Sequence, residues 1–274
     1  MRISFPSRLR GGDGRKQVSD KMNSMKEMMI QRTALAGLSL VFTLGMQAQD
    51  TSDFGLCIDA GLEKKLDRHW AVGAKVGART RNNSSDMERW SLDLDAAYKP
   101  NRHVKLSAGY DFFYDRHATD MSSHQDGSVF KFTPPYWSPR HRFRLAVTGS
   151  LQAGPIGLSW REQYQYTYRP VAQDRKHNLD TDEWEDVQSK SQHQLRSRLQ
   201  ASYTIRRCPA KPFASVEVYH GKGGLQKTRY TAGADLSLSK HHAVKLYYRF
   251  QTPSSKVKNG QDMHSLGLAY TYKL

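Results

Sequence analysis

The chain has 274 residues, of which 25% are charged, and a formal net charge of +16 at pH 7. Its mean hydropathy of −0.74 excludes a helical membrane protein, because no run of about 20 apolar residues follows the N-terminal region. The same value is compatible with a membrane β-barrel, whose strands are apolar on one face only. The charge excess fits nucleic acid, an anionic membrane surface or an acidic ligand, and by itself selects none of the three.

The N-terminal residues have the pattern of a targeting segment. Residues 1–24 are basic and aperiodic, and we expect a non-structured leader there, with one of two later methionines as an alternative start. Residues 25–48 have the basic start and short apolar run of a signal peptide, and end in the small residue Ala48 at the expected cleavage point. The apolar run, residues 34–46, is too short to span a bilayer, which needs about 20 residues. A buried core helix is the alternative.

From residue 54 onward, apolar and polar residues alternate with the period of β-strands. No helical period lies between the alternating segments. The segments cover residues 54–63, 70–79, 89–98, 104–115, 140–151, 158–169, 195–205, 214–219, 229–238, 244–250 and 265–274. This pattern predicts an all-β domain over residues 49–274.

The connections between these segments alternate in length. The shorter ones are 66–69, 99–102, 152–155, 206–211 and 239–241. The longer ones are 81–86, 116–137, 170–190, 220–226 and 252–262. Outer-membrane barrels show this asymmetry, with short periplasmic turns and longer outer loops, and bacterial barrels have an even number of strands. The eleven segments are an odd number, so we expect that one segment is miscounted or that a short strand is hidden near residues 49–54. The barrel should then have roughly 10 or 12 strands, with both chain ends in the periplasm.

Arginines decide which face of the predicted barrel meets lipid. An arginine on the lipid face near the bilayer midplane costs about 2–4 kcal/mol. A one-residue slip in the segment that holds Arg140, Arg142 and Arg144 would turn all three outward, at a cost on the order of 6–12 kcal/mol. A soluble barrel with its apolar face inward is the alternative, and it would enclose a large apolar cavity. Aromatic residues near the segment ends suit lipid interfaces instead: Trp70, Trp90, Tyr98, Tyr114, Tyr168 and Tyr272. The sequence thus predicts one antiparallel up-and-down transmembrane β-barrel.

The last segment carries a further pattern. Ser265 and Gly267 precede the aromatic residues Tyr270 and Tyr272, and the chain closes on Leu274. This arrangement resembles the C-terminal signal of bacterial outer-membrane barrels. The resemblance implies that barrel-assembly machinery reads this strand and that the protein lies in the cell outer membrane.

Several short motifs along residues 49–274 resemble an uncharacterised family of Bacteroidetes-type outer-membrane β-barrels, a domain of unknown function. They are Phe54-Gly55, residues 62–66, 89–92, 136–142, 161–166 and 195–199, and Tyr247-Tyr248-Arg249. The resemblance implies a fold and a location. It carries no activity, so no catalytic residue follows from it.

Charged residues on the face predicted to line the lumen are the main candidate site. The basic ones are Arg140, Arg142, Arg144, Arg161, Arg196, Arg198, Arg229 and Arg249, and the acidic ones include Asp93, Asp95, Asp111, Glu217 and Asp235. One interpretation is a polar core in which these side chains pair and fill a narrow barrel. The other is a porin-like path for small anionic solutes, whose basic wall is Arg140, Arg142, Arg144, Arg196 and Arg198. Glu162 is the one charge on the apolar face.

Other candidate chemistry is weak. His117, Asp120, His124 and Asp126 share a loop, but their spacing matches no metal or catalytic motif. His141 faces outward without the glycine-framed serine that a membrane lipase would need. We expect no catalytic residue, metal or cofactor, with an outer-membrane hydrolase or a non-conducting binding barrel as alternatives.

Three smaller expectations complete the interpretation. Residues 170–190 are predicted to form a solvated surface loop, and Cys57 and Cys208 are not expected to form a disulfide framework. Nucleic-acid binding is not expected, because basic and aromatic residues fall on opposite strand faces, whereas nucleic-acid readers need them together.

Overall fold

The structure, a computed structural model, describes residues 52–124, 128–255 and 260–274. All secondary-structure elements in these ranges are β-strands. The same ranges contain no helix with the length and apolar character needed to cross a membrane. The predicted leader and signal peptide lie outside the described residues.

Fifteen strands follow one another along the described chain. They are β1 (Ser52–Lys65), β2 (Trp70–Arg81), β3 (Asp86–Tyr98), β4 (Val104–His117), β5 (Asp120–Ser123), β6 (Val129–Thr133), β7 (Tyr136–Ala153), β8 (Ile156–Arg169), β9 (Ala172–Asn178), β10 (Glu183–Val187), β11 (Lys190–Tyr203), β12 (Ala210–Gly221), β13 (Gly224–Ser237), β14 (His242–Pro253) and β15 (Asp262–Lys273). Eleven of them close into a barrel in the order β1-β15-β14-β13-β12-β11-β8-β7-β4-β3-β2. The prediction of a single transmembrane β-barrel is confirmed.

The barrel closes on a parallel seam. Neighbouring strands are antiparallel except β1 and β15, which run side by side from Ser52 opposite Asp262 to Glu63 opposite Lys273. The backbone N–H of Leu274 donates to the carbonyl oxygen of Glu63 at 2.8 Å. The expectation of an even strand count was wrong: an odd number of strands leaves the first and last running in the same direction, and a parallel ladder joins them here.

The two rims of the barrel differ in their connections. We call the rim with the β1–β2, β3–β4, β7–β8, β11–β12 and β13–β14 connections the short-turn rim, and the opposite one the long-loop rim. The asymmetry is smaller than predicted, because β12 ends at Gly221 and β13 begins at Gly224, so residues 220–226 form a tight hairpin. Gly223 and Gly224 there adopt φ values of 95° and 99°, a conformation that favours glycine.

The chain ends of the barrel lie at opposite rims. β1 begins at the long-loop rim, where the N–H of Ser84 donates to the carbonyl of Phe54 at 3.0 Å. β15 ends at the short-turn rim, beside the end of β1. The sequence-based expectation of both ends at one rim was therefore wrong, for the same reason as the strand count.

The two longest connections form a second sheet at the long-loop rim. Its order is β10-β9-β6-β5, and β6 joins the two connections through the pairs Lys131–Asn178 and Phe132–His177. Glu185 on β10 accepts hydrogen bonds from Asn178 at 3.0 Å and Lys131 at 3.2 Å. Residues 116–137 and 170–190 are thus only partly loop, which corrects the predicted surface loops. β5, β9 and β10 are short and largely polar, and β6 has only five residues, so none shows the longer alternation that marks a half-buried strand.

Glycines make room for a large aromatic ring inside the barrel. Tyr247 on β14 lies between Gly233 on β13 and Gly267 on β15, which are its direct partners in register. A Cβ atom at either glycine would overlap Tyr247. Tyr247 packs with Phe213 and Cys57 in a small buried cluster, and both Cys57 and Cys208 are free thiols.

Candidate functional site

The barrel wall separates apolar and charged side chains by strand parity. Leu145 faces outward and is 61% exposed, whereas the side chain of its neighbour Arg144 faces the lumen and is 20% exposed. Successive residues of a strand point to opposite faces, so the direction of one side chain determines which residues of that strand face outward and which face the lumen. The outward wall is apolar and the inward wall is charged, which is the arrangement that a membrane barrel requires.

A first cation cluster lies in the half of the lumen nearer the long-loop rim. Three guanidinium groups surround the ring of Phe113 at 4.8–4.9 Å from its centroid, those of Arg89, Arg140 and Arg142. This distance is within the range of cation–π attraction. Asp115, 5% exposed, forms ion pairs with Arg89 and, at 3.0 Å, with Arg140. We call these five residues the Phe113 cluster.

A second cluster lies on the wall formed by β11, β12 and β13. Three cations surround the ring of Tyr219 at 4.7–5.3 Å, those of Arg196, Lys227 and Arg229. Glu217, 4% exposed, forms ion pairs with Arg196, with Arg229 at 3.4 Å and with Arg198 at 4.0 Å. It also accepts a hydrogen bond from the Tyr219 hydroxyl at 3.0 Å. Tyr219, Glu217 and these cations form the Tyr219 cluster.

Positive charge exceeds negative charge in this part of the lumen. Arg79 and its partner Glu88, 2.9 Å apart, lie beside the Phe113 cluster, since Glu88 also reaches Arg89 at 3.7 Å. We define the upper lumen as the two clusters together with Arg79 and Glu88. It holds eight cations and three carboxylates, Glu88, Asp115 and Glu217, which form ion pairs with six of the cations. Charges of one sign between low-dielectric walls concentrate the electric field.

The rest of the lumen is closer to charge balance. Asp111 pairs with Arg144 at 2.6 Å, and Asp235 pairs with Lys245 at 3.1 Å. Asp93 pairs with Lys75 at 3.0 Å. Outside the upper lumen, three of the predicted site residues form no ion pair within 4.0 Å among the described residues: Asp95, Arg161 and Arg249. The guanidinium of Arg249 instead lies 4.7 Å from the ring centroid of Tyr247.

A polar cavity near the short-turn rim and two buried glutamines lie along β8, with the cavity nearer the rim. A cavity of about 480 Å³ lies near the short-turn rim, with Ser159, Gln200 and Ser202 among its polar lining residues. Further up, Gln163 and Gln165 are 1% and 2% exposed, and neither amide atom of Gln163 has a hydrogen-bond partner among the described residues. A buried polar group without a partner costs about 1–3 kcal/mol, so this level of the lumen favours water or a polar solute.

Glu162 places a carboxylate on the outward wall. Glu162 accepts a hydrogen bond from the hydroxyl of Ser197 at 2.7 Å, across the β8–β11 pair. It lines an apolar groove of about 580 Å³ together with Trp70, Tyr98, Leu106, Leu145, Val147, Tyr164 and Leu195. The sequence marks Glu162 as the exception on the apolar face, but the bond to Ser197 depends on the register between β8 and β11, which 20 residues separate in the chain.

Hydrogen-bonded tyrosine–histidine pairs also lie on the outward wall, a feature that the sequence analysis missed. Three lie toward the long-loop rim: Tyr110–His141 at 2.7 Å, Tyr164–His193 at 2.6 Å and Tyr248–His264 at 2.5 Å. Near the short-turn rim, Tyr270 pairs with His242 at 2.7 Å. Polar-tipped aromatic groups of this kind suit the boundary between lipid and water. The cross-strand positions of Tyr and His reveal these pairs only once the register between strands is known.

The residues of the C-terminal pattern divide between the two walls. Ser265, 1% exposed, and Gly267, beneath the Tyr247 ring, face the lumen. Tyr270 and Leu274 are 37% and 63% exposed on the outward side, and Tyr272 packs near His241 with ring centroids 6.0 Å apart.

The histidines and acids of the first long connection do not converge. His117 bonds to the hydroxyl of Ser138 at 2.8 Å, and His124 bonds to Asp180 of the other long connection at 3.1 Å. Asp126 lies outside the described residues. Within the described part of the chain, no group of three His, Cys, Asp or Glu side chains is placed to hold a metal ion.

Comparisons with known proteins agree with the barrel. The beta domain of the Bordetella autotransporter BrkA is 15% identical over 74% of this chain and 82% of that one, with a TM-score of 0.52. The translocator domain of the autotransporter NalP from Neisseria meningitidis is 10% identical over 74% and 73%, with a TM-score of 0.48. The NanC porin is 9% identical over 81% and 99%, with a TM-score of 0.45. The likeness to the BrkA domain shows the fold of an outer-membrane barrel and nothing about activity.

No curated protein matches the sequence. A family described as a protein of unknown function, DUF2490, matches residues 55–262. This finding confirms the family resemblance predicted from the sequence motifs. Because the match spans well over half of the chain, this outer-membrane β-barrel belongs to the DUF2490 family.

Proposed function

We propose that this barrel is a passive passage for small anionic solutes across the outer membrane, without catalytic activity. One observation carries the proposal: the upper lumen holds eight cations against three carboxylates, and those carboxylates pair with six of the eight. Rings of Arg and Lys side chains are the usual lining of anion and phosphate pores. An anion at the long-loop rim therefore meets a net positive field before it reaches the balanced part of the lumen.

The part of the lumen in which positive and negative charges balance favours release of an anion rather than its retention. Conduction requires binding that is favourable enough for entry and weak enough for exit. Below the upper lumen, Asp111 pairs with Arg144 and Asp235 pairs with Lys245. A solute that leaves the cations then reaches the polar cavity near the short-turn rim, where Ser159, Gln200 and Ser202 offer neutral hydrogen-bonding groups.

A second candidate, a non-conducting binding barrel, has its own support. Gln163, Gln165 and Glu217 are at most 4% exposed, so side chains fill part of the cross-section between the cavity and the long-loop rim. If that packing holds in the membrane, the lumen binds anions from one side and does not pass them.

A hydrolase at the outer rim or on the outward wall is the enzyme alternative. Ser197 is bonded to Glu162, but a serine nucleophile needs a base that takes its proton, usually a histidine within hydrogen-bond reach. His193, on the same strand, bonds to Tyr164, and His141 bonds to Tyr110. These partners support a structural role for the histidines.

Targeting and assembly complete the proposal. We propose that residues 25–48 act as a signal peptide cleaved near Ala48, and that barrel-assembly machinery engages β15 through Ser265, Gly267 and the aromatic residues that follow. The outward apolar wall then faces outer-membrane lipid.

Conductance of the purified protein in planar bilayers tests the proposal. Under a KCl gradient, we expect reproducible current steps with a reversal potential that reports chloride selectivity. Replacing Arg140 and Arg196 with glutamine should reduce that selectivity, whereas replacing Lys64, which lies outside the lumen, should not. Silent bilayers would refute passage and favour the binding barrel. Silent bilayers together with ester or peptide hydrolysis that is lost on Ser197→Ala would favour the enzyme.

A further inference from the structure

Glu162 lies in the middle of the outward apolar wall. It is the seventh of the fourteen residues of β8, and its side chain is half-buried. Apolar outward side chains continue on both sides of it: Leu145 toward the long-loop rim is 61% exposed, and Leu158 toward the short-turn rim is 44% exposed. Glu162 therefore lies at the depth of the lipid hydrocarbon and not at the boundary with water. Ionisable groups at this depth are costly and commonly have a function.

Ser197 satisfies only part of this carboxyl group. Its hydroxyl donates to Oε2 of Glu162 at 2.7 Å, whereas Oε1 has no hydrogen-bond partner among the described residues. A carboxylate has about four acceptor sites on its two oxygens, and lipid hydrocarbon supplies no donor for them. A buried polar group without a hydrogen bond is destabilising, so Glu162 needs a donor that a neighbour in the membrane brings.

Trp160 gives the same wall an unused donor. It lies two residues before Glu162 on β8, faces outward and is 53% exposed. Its indole Nε1–H, which donates and cannot accept, contacts no acceptor among the described residues. Gly149 lies opposite Trp160 on β7, and a Cβ atom there would meet nothing within 4 Å, so the space beside the indole is open. The wall therefore holds an acceptor and a donor, both unused, at neighbouring positions of one strand face.

The wall is concave beside Glu162. The apolar groove of about 580 Å³ has Ala96 and Ala108, a directly opposed pair on β3 and β4, among its lining residues. Their small side chains stand next to larger ones, Tyr98 on the same strand and Leu145 on β7, so the wall recedes there. A protruding side chain of a second barrel wall fits into such a recess, whereas two convex walls touch only along a line.

We propose that this face forms the interface of a homodimer in which Trp160 of each copy donates a hydrogen bond to Glu162 of the other. Lipid acyl chains carry no N–H or O–H group, and the donors of lipid head groups lie outside the hydrocarbon core. A second copy in the same membrane presents its Trp160 close to the depth of Glu162, because only two positions separate these residues on the strand. A two-fold axis along the bilayer normal makes each contact occur twice, as in other isologous interfaces. The dimer requires nothing of the lumen, so it stands or falls separately from anion passage.

Sedimentation equilibrium of the purified full-length barrel in density-matched detergent tests the interface. The wild type should show a monomer–dimer equilibrium, and energy transfer between donor-labelled and acceptor-labelled copies in phosphatidylcholine vesicles should show the same association. Glu162→Leu and Trp160→Phe should each raise the dimer dissociation constant by about ten-fold or more, since each removes both reciprocal hydrogen bonds. Trp90→Phe is the matched control, because Trp90 is also outward and 52% exposed but lies on β3 outside the groove. Its dissociation constant should stay within about two-fold of the wild type.

The fold of the monomer is checked in the same variants. Glu162→Leu removes a carboxyl group from the lipid face, so the urea midpoint of the monomer should stay unchanged or rise. Glu162→Gln keeps an acceptor oxygen and should retain most of the dimer. The proposal is overturned if the wild type is monomeric in both media, if Glu162→Leu leaves the dimer intact, or if Trp90→Phe weakens it as much as Trp160→Phe. A wild-type monomer that retains a bound lipid in native mass spectrometry, lost on Glu162→Leu, would likewise overturn it and assign the groove to lipid.

Discussion

Replacing Glu217 with glutamine tests whether the lumen is held together by its shared carboxylates. Glu217 is 4% exposed, and its carboxylate is shared by Arg196, Arg198 and Arg229. Glutamine keeps the shape and can still accept one hydrogen bond, but it leaves three partly buried guanidinium groups without their shared counter-charge. Breaking a buried ion pair by removing one partner costs about 3–5 kcal/mol, which is a large part of a typical domain stability of about 5–15 kcal/mol.

The control substitution is Asp235→Asn. Asp235 also faces the lumen and pairs with Lys245 at 3.1 Å, but the two side chains are 41% and 39% exposed. An exposed ion pair of this kind contributes about 0–1 kcal/mol. Urea unfolding from detergent micelles, followed by tryptophan fluorescence and by the heat-dependent mobility of folded barrels on gels, gives both free energies. If Glu217→Gln costs no more than Asp235→Asn, then the lumen is wet enough to screen the arginines, and the packed polar core is refuted.

Two other predictions concern Gly267, which lies beneath the Tyr247 ring, and the second sheet at the long-loop rim. Gly267→Ala should lower the free energy of unfolding by about 1–3 kcal/mol, because the new Cβ overlaps the ring of Tyr247. In the control Gly149→Ala, the new Cβ meets nothing within 4 Å, so the free energy of unfolding should change by less than about 0.5 kcal/mol. Equal effects of the two substitutions in the same urea assay would contradict this prediction. Hydrogen bonds from Asn178 and then Lys131 hold the pKa of Glu185 below its usual value. A carboxyl group whose pKa is lower in the folded state than in the unfolded state stabilises the fold at pH values above its unfolded-state pKa. This stabilisation is lost as the pH falls through the folded-state pKa. Pepsin cleavage within residues 170–190 is therefore compared as the ratio of the wild-type rate to the Glu185→Gln rate at each pH, so that the pH profile of the protease cancels. This ratio should rise toward one as the pH drops below the usual glutamate range, and a ratio that does not change with pH would contradict the assignment.

The alternating pattern predicted the barrel because strand parity is a local property. Each of the eleven segments needs only its own sequence to show that Leu145 and Arg144 belong to opposite walls. The cost of turning an arginine to lipid then selects the inward direction for all of them. Fold and wall assignment therefore follow from short stretches of chain.

Pairing could not be predicted in the same way. The contacts of Glu217 with arginines from β11 and β13, and the bond between Ser197 and Glu162, depend on register, and register is set by how strands align across turns. Parity also says nothing about strand number. The even count was an expectation taken from other barrels, and the parallel ladder between β1 and β15 shows why it failed here.

The parallel seam has a kinetic consequence. Every other junction of the barrel forms between segments close in sequence or joined by one connection, whereas Ser52 and Asp262 lie 210 residues apart. Contacts between such distant positions form late, because most of the chain's freedom must be lost before they are gained. An intermediate with ten ladders formed and two unpaired edges should thus precede the native state, and those edges are where a misassembled second chain would add itself.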